Sequence, residues 1–193
     1  MTSEKKILII APFAFGYTAH IQKALQKDSL VEASILYLDH PKFKYRNVLH
    51  KAQNFISKIF LGKNLKKTFV SDRLIQGVSK MGAQDIIFII RPDLLDDTTL
   101  KFIKRYTQKF IAYYYDSTRR FPRKVEIISF FDGIYSYDKE DVATYNLQFL
   151  TNYIFEESNK SNYKYQFFNI STNCVLVIIL NTSIVYLISS HKC

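Results

Sequence analysis

Short apolar runs alternate with amphipathic segments along the first 150 residues of the chain. Runs such as 86–90 have no polar residue at alternate positions, which is typical of a strand that is covered on both faces. The alternation of such runs with helical periodicity predicts an α/β fold with a doubly wound parallel sheet. The predicted strands are 7–10, 33–38, 86–90, 110–115 and 133–137.

Helical periodicity fills the intervals between these strands. We expect Thr18 to cap the first helix, Ser71 or Asp72 the second and Asp138 the last, since these side chains accept hydrogen bonds from free helix amides. The long segment 40–73 is then an insertion between the second and third strands. The predicted helices are 18–27, 71–81, 97–106, 124–131 and 139–147.

A chain of 193 residues has room for one α/β domain with a sizeable core. We predict a single Rossmann-like domain over residues 1–155 and an atypical apolar tail over 156–193. Within this tail, residues 161–193 contain two lysines and no carboxylate, and their apolar runs fit a buried hairpin, a tail anchor or a sequence foreign to the domain. A truncation or a shifted reading frame would produce a tail whose sequence is foreign to the domain.

The cysteine and histidine content excludes several classes of protein. Two cysteines without C-x-x-C spacing indicate neither a disulfide framework nor a zinc site, and the four histidines lack metal-ligand spacing. No D-x-D carboxylate pair follows a predicted strand, so we expect neither a metal nor a bound cofactor. A reduced, cytoplasmic protein is the expectation.

Ligands of doubly wound sheets bind at the carboxyl ends of the strands, so the residues after each strand are the first candidates. After the first strand, Phe15, Gly16 and Tyr17 form either an anion-binding helix start or an ordinary turn. After the third strand, Arg91 either binds a phosphate or carboxylate ligand, or pairs with Asp93 or Asp116.

The segment after the fourth strand carries a carboxylate, hydroxyls and two guanidinium groups. Asp116 and Ser117 suit the recognition of sugar hydroxyls, with Asp116 as the first candidate for a catalytic base, while Arg119 and Arg120 suit a phosphate group. The alternative is that Asp116 caps a turn beside solvated arginines. His20, one turn into the first helix, is the second candidate base, although a packing or surface role is an open alternative.

Most of the positive charge lies in residues 40–73, which hold nine Lys and Arg against one acid and so +8 of the net +10. Residues 48–60 follow amphipathic helical spacing. Either this apolar face packs on the sheet or on a neighbouring helix, or the helix binds an anionic membrane surface with neighbouring lysines. Nucleic acid is not expected, because the aromatic residues lie in core-like strands. The lysines are Lys58, Lys63, Lys66 and Lys67.

Four segments carry a family resemblance: 6–13 with Gly16, 85–93, 112–117 and 131–138. Their order and spacing resemble the N-terminal half of CgeB-like bacterial glycosyltransferases, over about residues 5–155. The resemblance implies one of the two Rossmann-like domains of a GT-B enzyme, which transfers a sugar from a nucleotide sugar to a polysaccharide or lipopolysaccharide acceptor. It also implies that Gly16, Arg91, Asp116 and Ser117 line the cleft.

In that arrangement most donor contacts belong to the C-terminal domain, so the resemblance implies an incomplete transferase. Its partners would be a nucleotide sugar, a glycan or glycolipid acceptor and a separately encoded C-terminal half. Two alternatives are a stand-alone nucleotide- or phosphate-binding module at a membrane and a non-enzymatic membrane-surface scaffold. We therefore expect a cytoplasmic protein, and the basic segment 40–73 suggests peripheral binding at the inner face of the membrane.

Overall fold

Six parallel strands form the central sheet, in the order β2-β1-β3-β4-β5-β6. The computed structural model describes residues 5–13, 16–61, 64–150, 175–179 and 184–188. All five predicted strands are present, and a two-residue strand, β6, extends the sheet beyond β5. The strands are β1 Lys5–Ala11, β2 Val31–Tyr37, β3 Gln84–Ile90, β4 Thr107–Tyr114, β5 Gly133–Ser136 and β6 Gln148–Phe149.

Helices connect these strands, and two of the three predicted caps differ from the structure. Asn64 caps the helix that was predicted to begin at Ser71 or Asp72, because its side chain accepts a hydrogen bond from the Lys66 amide. Ser71 instead lies buried inside that helix. The helices are α1 Tyr17–Leu25, α2 Val48–Leu61, α3 Leu65–Met81, α4 Asp97–Lys104, α5 Arg123–Glu126 and α6 Lys139–Tyr145.

Alternate residues of β1 belong to two different apolar layers, which confirms that the sheet is doubly wound. Ile7 and Ile9 pack in the layer that contains α1, whereas Leu8 and Ile10 pack in the layer that contains α3 and α4. All four side chains are fully buried. The chain runs outward from β1 to β2 and then crosses back to β3, so a crevice is expected at the carboxyl ends of β1 and β3.

A separate antiparallel pair lies within the apolar tail, where β7 Val175–Ile179 pairs with β8 Ile184–Ile188. This antiparallel pairing agrees with the strand pair of the predicted buried hairpin, and the burial of these residues lies outside what the structure describes. The other tail residues lie outside the described ranges. Among the helices of the described chain, none has the length and apolar character that crossing a bilayer requires.

Candidate functional site

The turn after β1 is held by backbone geometry that glycine favours. Gly16 has φ of +86°, donates its amide to the Phe13 carbonyl at 2.9 Å and precedes the first residue of α1. The predicted cap is wrong, because the Thr18 hydroxyl is buried and donates to the Pro12 carbonyl at 2.9 Å. Of the other candidates here, Phe15 lies outside the described residues, and only the backbone of Tyr17 is described.

Arg91 lies at the carboxyl end of β3 in a left-handed conformation, with φ of +65°. This conformation is strained for a residue with a side chain, and such strain is often found at functional sites. The guanidinium donates three hydrogen bonds to Asp93, from Nε at 2.9 Å to Oδ1 and 3.2 Å to Oδ2, and from Nη2 at 2.8 Å to Oδ2. It also lies 4.2 Å from the centre of the Phe121 ring. Hydrogen bonding to Asp93 raises the pKa of Arg91 despite partial burial.

Asp116, the first candidate base, lies between two arginines. Its Oδ2 is 3.7 Å from Nη1 of Arg91, and its Oδ1 accepts a hydrogen bond from Nη1 of Arg120 at 3.3 Å. The Asp116 side chain is 19% exposed, whereas that of Arg120 is 74% exposed and reaches the carboxylate from solvent. The Arg91 contact belongs to the framework of the site, and the Arg120 contact is the one that a ligand can replace.

A buried lysine that the sequence analysis did not select lies beneath Asp116. Lys124 is fully buried, its Nζ donates to the Asp116 carbonyl oxygen, and its ammonium lies 5.1 Å from the ring centres of Tyr114 and Phe121. Burial lowers the pKa of Lys124 to about 8. Nothing in the local pattern distinguishes this lysine from its partly exposed neighbour Arg123, because only the short helix α5 turns the Lys124 side chain inward.

The segment after β4 is also joined to the start of α6. The amide and the hydroxyl of Thr118 both donate to the buried carboxylate of Asp141, at 2.7 and 2.5 Å. Asp138 caps α6 as predicted, accepting from the Glu140 amide at 2.9 Å. A hydrogen bond from the Ser117 side chain lowers the pKa of Asp138. The hydroxyl of Ser117 is therefore part of this junction.

The remaining candidates at this edge lie farther from Asp116. Arg119 extends toward α6, with Nη2 3.0 Å from Oε2 of Glu140 and a side chain that is 69% exposed. His20 is exposed on α1, which follows β1. Asp116 follows β4 and His20 lies in the helix after β1. These two strands flank β3 in the sheet, so they lie about 10 Å apart. The structure thus places Arg91, Asp116 and Arg120 together and His20 on a separate element.

Helix α2, in the basic insertion, turns its apolar face to solvent. Val48, Leu49 and Phe60 are between 78% and 82% exposed, and Phe55, Ile56 and Ile59 between 55% and 64%. Among the α2 residues whose side chains the structure describes, the one that is buried is the polar Asn54. The Asn54 amide donates to the Tyr45 hydroxyl at 2.7 Å and accepts from the Leu65 amide at 2.8 Å. Of the two predicted alternatives, packing of the apolar face on the sheet is wrong.

The lysines predicted to face a membrane lie on and after this helix. Lys58 is exposed in the last turn of α2, and Lys66 and Lys67 are exposed in the first turn of α3. Lys63 lies between the two helices and outside the described residues. None of the three described lysines forms an ion pair within 4 Å of a carboxylate in the described ranges. Their charges are therefore open to an external anion.

The fold and site define a class: a Rossmann-like α/β domain with a charged cluster at the carboxyl edge of its parallel sheet. The described residues contain no group of three or more His, Cys, Asp and Glu side chains suited to hold a metal ion. Comparison of the chain with protein-family models, curated proteins and solved structures finds no match.

Proposed function

We propose that this chain is the acceptor-side domain of a nucleotide-sugar-dependent glycosyltransferase that works at the inner, anionic surface of a membrane. The outward apolar face of α2, beside lysines that have no carboxylate partner in the described ranges, carries the membrane part of this proposal. Such a face is suited to insertion at the boundary between headgroups and acyl chains. A domain lying there reaches a glycolipid acceptor without crossing the bilayer, which supports a role in surface polysaccharide or lipopolysaccharide synthesis. The transferase part rests on the resemblance of four segments to CgeB-like glycosyltransferases.

Within this proposal, the cluster at the carboxyl edge binds the acceptor. An acceptor hydroxyl replaces Arg120 beside Asp116 and donates to the oxygen thus freed, while Arg91 stays on the other oxygen. As the hydroxyl oxygen attacks the anomeric carbon, its proton passes to Asp116 and the nucleoside diphosphate leaves with the electrons of the broken bond. Donor contacts come from a second domain, for which a separately encoded partner is one source.

Vesicle binding tests the membrane part of the proposal. We expect the chain to float with phosphatidylcholine vesicles that contain about one third phosphatidylglycerol, and not with phosphatidylcholine alone. A triple variant, Lys58→Glu, Lys66→Glu and Lys67→Glu, should lose at least about 3 kcal/mol of binding free energy, or roughly 150-fold, at about 1 kcal/mol for each lysine.

The matched control reverses three exposed lysines on other surfaces, Lys23→Glu, Lys27→Glu and Lys80→Glu, and so has the same net charge. It should bind anionic vesicles far more tightly than the test variant. Equal losses in the two variants would show that net charge alone attracts the chain, and the membrane assignment would then fail.

Donor binding tests the transferase part. Titration of a panel of nucleotide sugars into the chain alone should give no micromolar affinity, because the proposal assigns the donor contacts to the second domain. Micromolar binding by the chain alone would favour the stand-alone nucleotide-binding module instead. With the partner domain present, Asp116→Asn should abolish sugar transfer while leaving vesicle binding unchanged.

A further inference from the structure

A second concave surface lies beside β2 and α3, next to the Arg91–Asp93 pair that borders the Asp116 cluster. It is a cavity of about 520 Å³, walled by the segment after β2, the first turns of α3 and the turn after β3. This volume lies within the range of pockets that bind small molecules. Its floor is apolar, and the residues that form it are Leu38, Phe43, Val70 and Leu94.

Three lysines, Lys42, Lys66 and Lys67, line this cavity. All three are exposed, and the described residues provide no carboxylate within 4 Å of their ammonium groups. The Lys66 ammonium lies 5.6 Å from the centre of the Tyr45 ring. The lining therefore combines an apolar floor with a positively charged rim.

The two carboxylates of the lining already have other partners. Asp93 accepts all three hydrogen bonds from Arg91. Asp39 accepts the Phe13 amide at 2.8 Å and lies 3.8 Å from Nδ1 of His40. Because neither carboxylate pairs with a lysine of the rim, the positive charge of the cavity remains available to an anionic ligand.

The cavity also adjoins the outward-facing helix α2. The ring of Phe43, on the cavity floor, lies 6.0 Å from the ring of His50 in α2. Asn54 of α2 accepts a hydrogen bond from the Leu65 amide, at the start of the helix that supplies Lys66 and Lys67. The apolar floor and the lysine rim therefore lie next to the helix whose apolar face is exposed to solvent.

We propose that this cavity binds a terminal phosphate carried on an organic body that has an acyl chain or a flat ring, with the lysines holding the phosphate and the apolar floor packing against the chain or ring face. Two sources supply this chemistry: a lipid phosphate of the bilayer, and a free phosphorylated metabolite such as a nucleoside monophosphate. The site does not rest on the proposed transfer reaction, since it shares no lysine with the Asp116 cluster and requires no donor.

Calorimetric titration of the full chain separates the sources with three soluble probes: dihexanoyl phosphatidic acid, uridine monophosphate and inorganic phosphate. We expect one of the two organic probes to bind below about 1 mM and more tightly than inorganic phosphate. Binding of the lipid probe alone assigns the lipid source, and binding of the nucleotide alone assigns the free metabolite. Absence of binding by both organic probes, or affinity no better than that of inorganic phosphate, overturns the proposal.

Three variants locate the binding. Lys42→Gln with Lys67→Gln should weaken it about 100-fold, at about 10-fold for each lost charge-assisted contact. Val70→Trp should block it by filling the floor. Lys80→Gln, about 20 Å along α3 from Lys67, is the matched control and should bind as the parent chain does. Equal affinity of the Lys42/Lys67 variant and the control would refute the site.

Removing the α2 face by Phe55→Ser and Phe60→Ser separates this proposal from the membrane proposal. That variant should lose vesicle binding and keep the affinity for the soluble probe, since neither residue lines the cavity. Loss of probe binding in this variant, with its fold intact, would show that the ligand is held by α2 rather than by the cavity.

Discussion

Replacing Phe55 and Phe60 of α2 together by serine distinguishes a membrane-facing helix from one that packs on its own domain. The two side chains are 64% and 78% exposed, so most of each ring is available for insertion into a bilayer. Full burial of a phenylalanine side chain is worth about 1.5–3 kcal/mol. Losing most of both rings should cost about 3 kcal/mol of membrane binding, which corresponds to roughly 150-fold weaker partitioning.

The same exposure predicts that folding is almost unaffected. Surface substitutions usually change the free energy of unfolding by no more than about 0.5 kcal/mol, whereas truncation of a core phenylalanine costs about 3–5 kcal/mol. Two measurements on one variant therefore suffice. Vesicle flotation gives the change in membrane binding, and thermal unfolding followed by circular dichroism gives the change in stability.

Leu30→Ser is the control, because Leu30 is 45% exposed and lies before β2 rather than on α2. It should leave flotation with anionic vesicles unchanged. A stability loss of core size in the Phe55/Phe60 variant would mean that the apolar face is buried against the protein. Flotation within a factor of three of the parent chain would mean that the face does not enter the bilayer, and either result refutes the reasoning.

Three further predictions concern the carboxyl edge of the sheet. Burial lowers the folded pKa of Lys124 to about 8, so between about pH 8 and pH 10 the unfolded chain binds more protons at this residue than the folded chain. The free energy of unfolding, measured in urea, should therefore rise over this pH range by about 2 kcal/mol relative to Lys124→Met. The same pH dependence of unfolding in both proteins would contradict the burial. Asp141→Ala should lower the free energy of unfolding in urea by about 2–4 kcal/mol, because it leaves the buried amide and hydroxyl of Thr118 unpaired. A loss below about 1 kcal/mol would show that these hydrogen bonds contribute little to stability. Gly16→Ala should lower the free energy of unfolding by about 1 kcal/mol and the melting temperature by about 2–4 °C, because φ of +86° is strained for alanine. Steric contact does not contribute, since no atom lies within 4 Å of the added methyl group. An unchanged melting temperature would show that the turn adapts.

The elements of the fold were predictable where a local pattern specifies them. The runs that form β1 and β3 are apolar at every position because both faces of the sheet are covered, so their identity as buried strands follows from composition alone. The two-residue strand β6 has no such run and was missed. The start of α3 was also misplaced, because the residues that follow Asn64 include the lysine pair Lys66 and Lys67 and show no clear apolar periodicity.

The candidate site was predictable in most of its members and in part of their pairing, since pairing of Arg91 with Asp93 or Asp116 was one of two alternatives and the structure shows both contacts. Arg91 and Asp116 were selected because each follows a strand, and the topology brings their loops together. The two-point contact between Arg91 and Asp93 depends on the left-handed backbone at Arg91, which residue type does not indicate. Lys124 gave no signal, because its burial depends on a short helix whose direction is set by contacts remote in sequence.

The sequence by itself determined the layered α/β architecture, the amphipathic helix in the insertion and the local excess of positive charge, since periodicity and composition are properties of neighbouring residues. Only the tertiary structure decided which side of α2 meets the protein. Periodicity states that a helix has an apolar face and leaves open where that face points. Here the polar contacts of Asn54 with Tyr45 and Leu65 hold the opposite side of the helix to the domain, and the apolar side faces solvent.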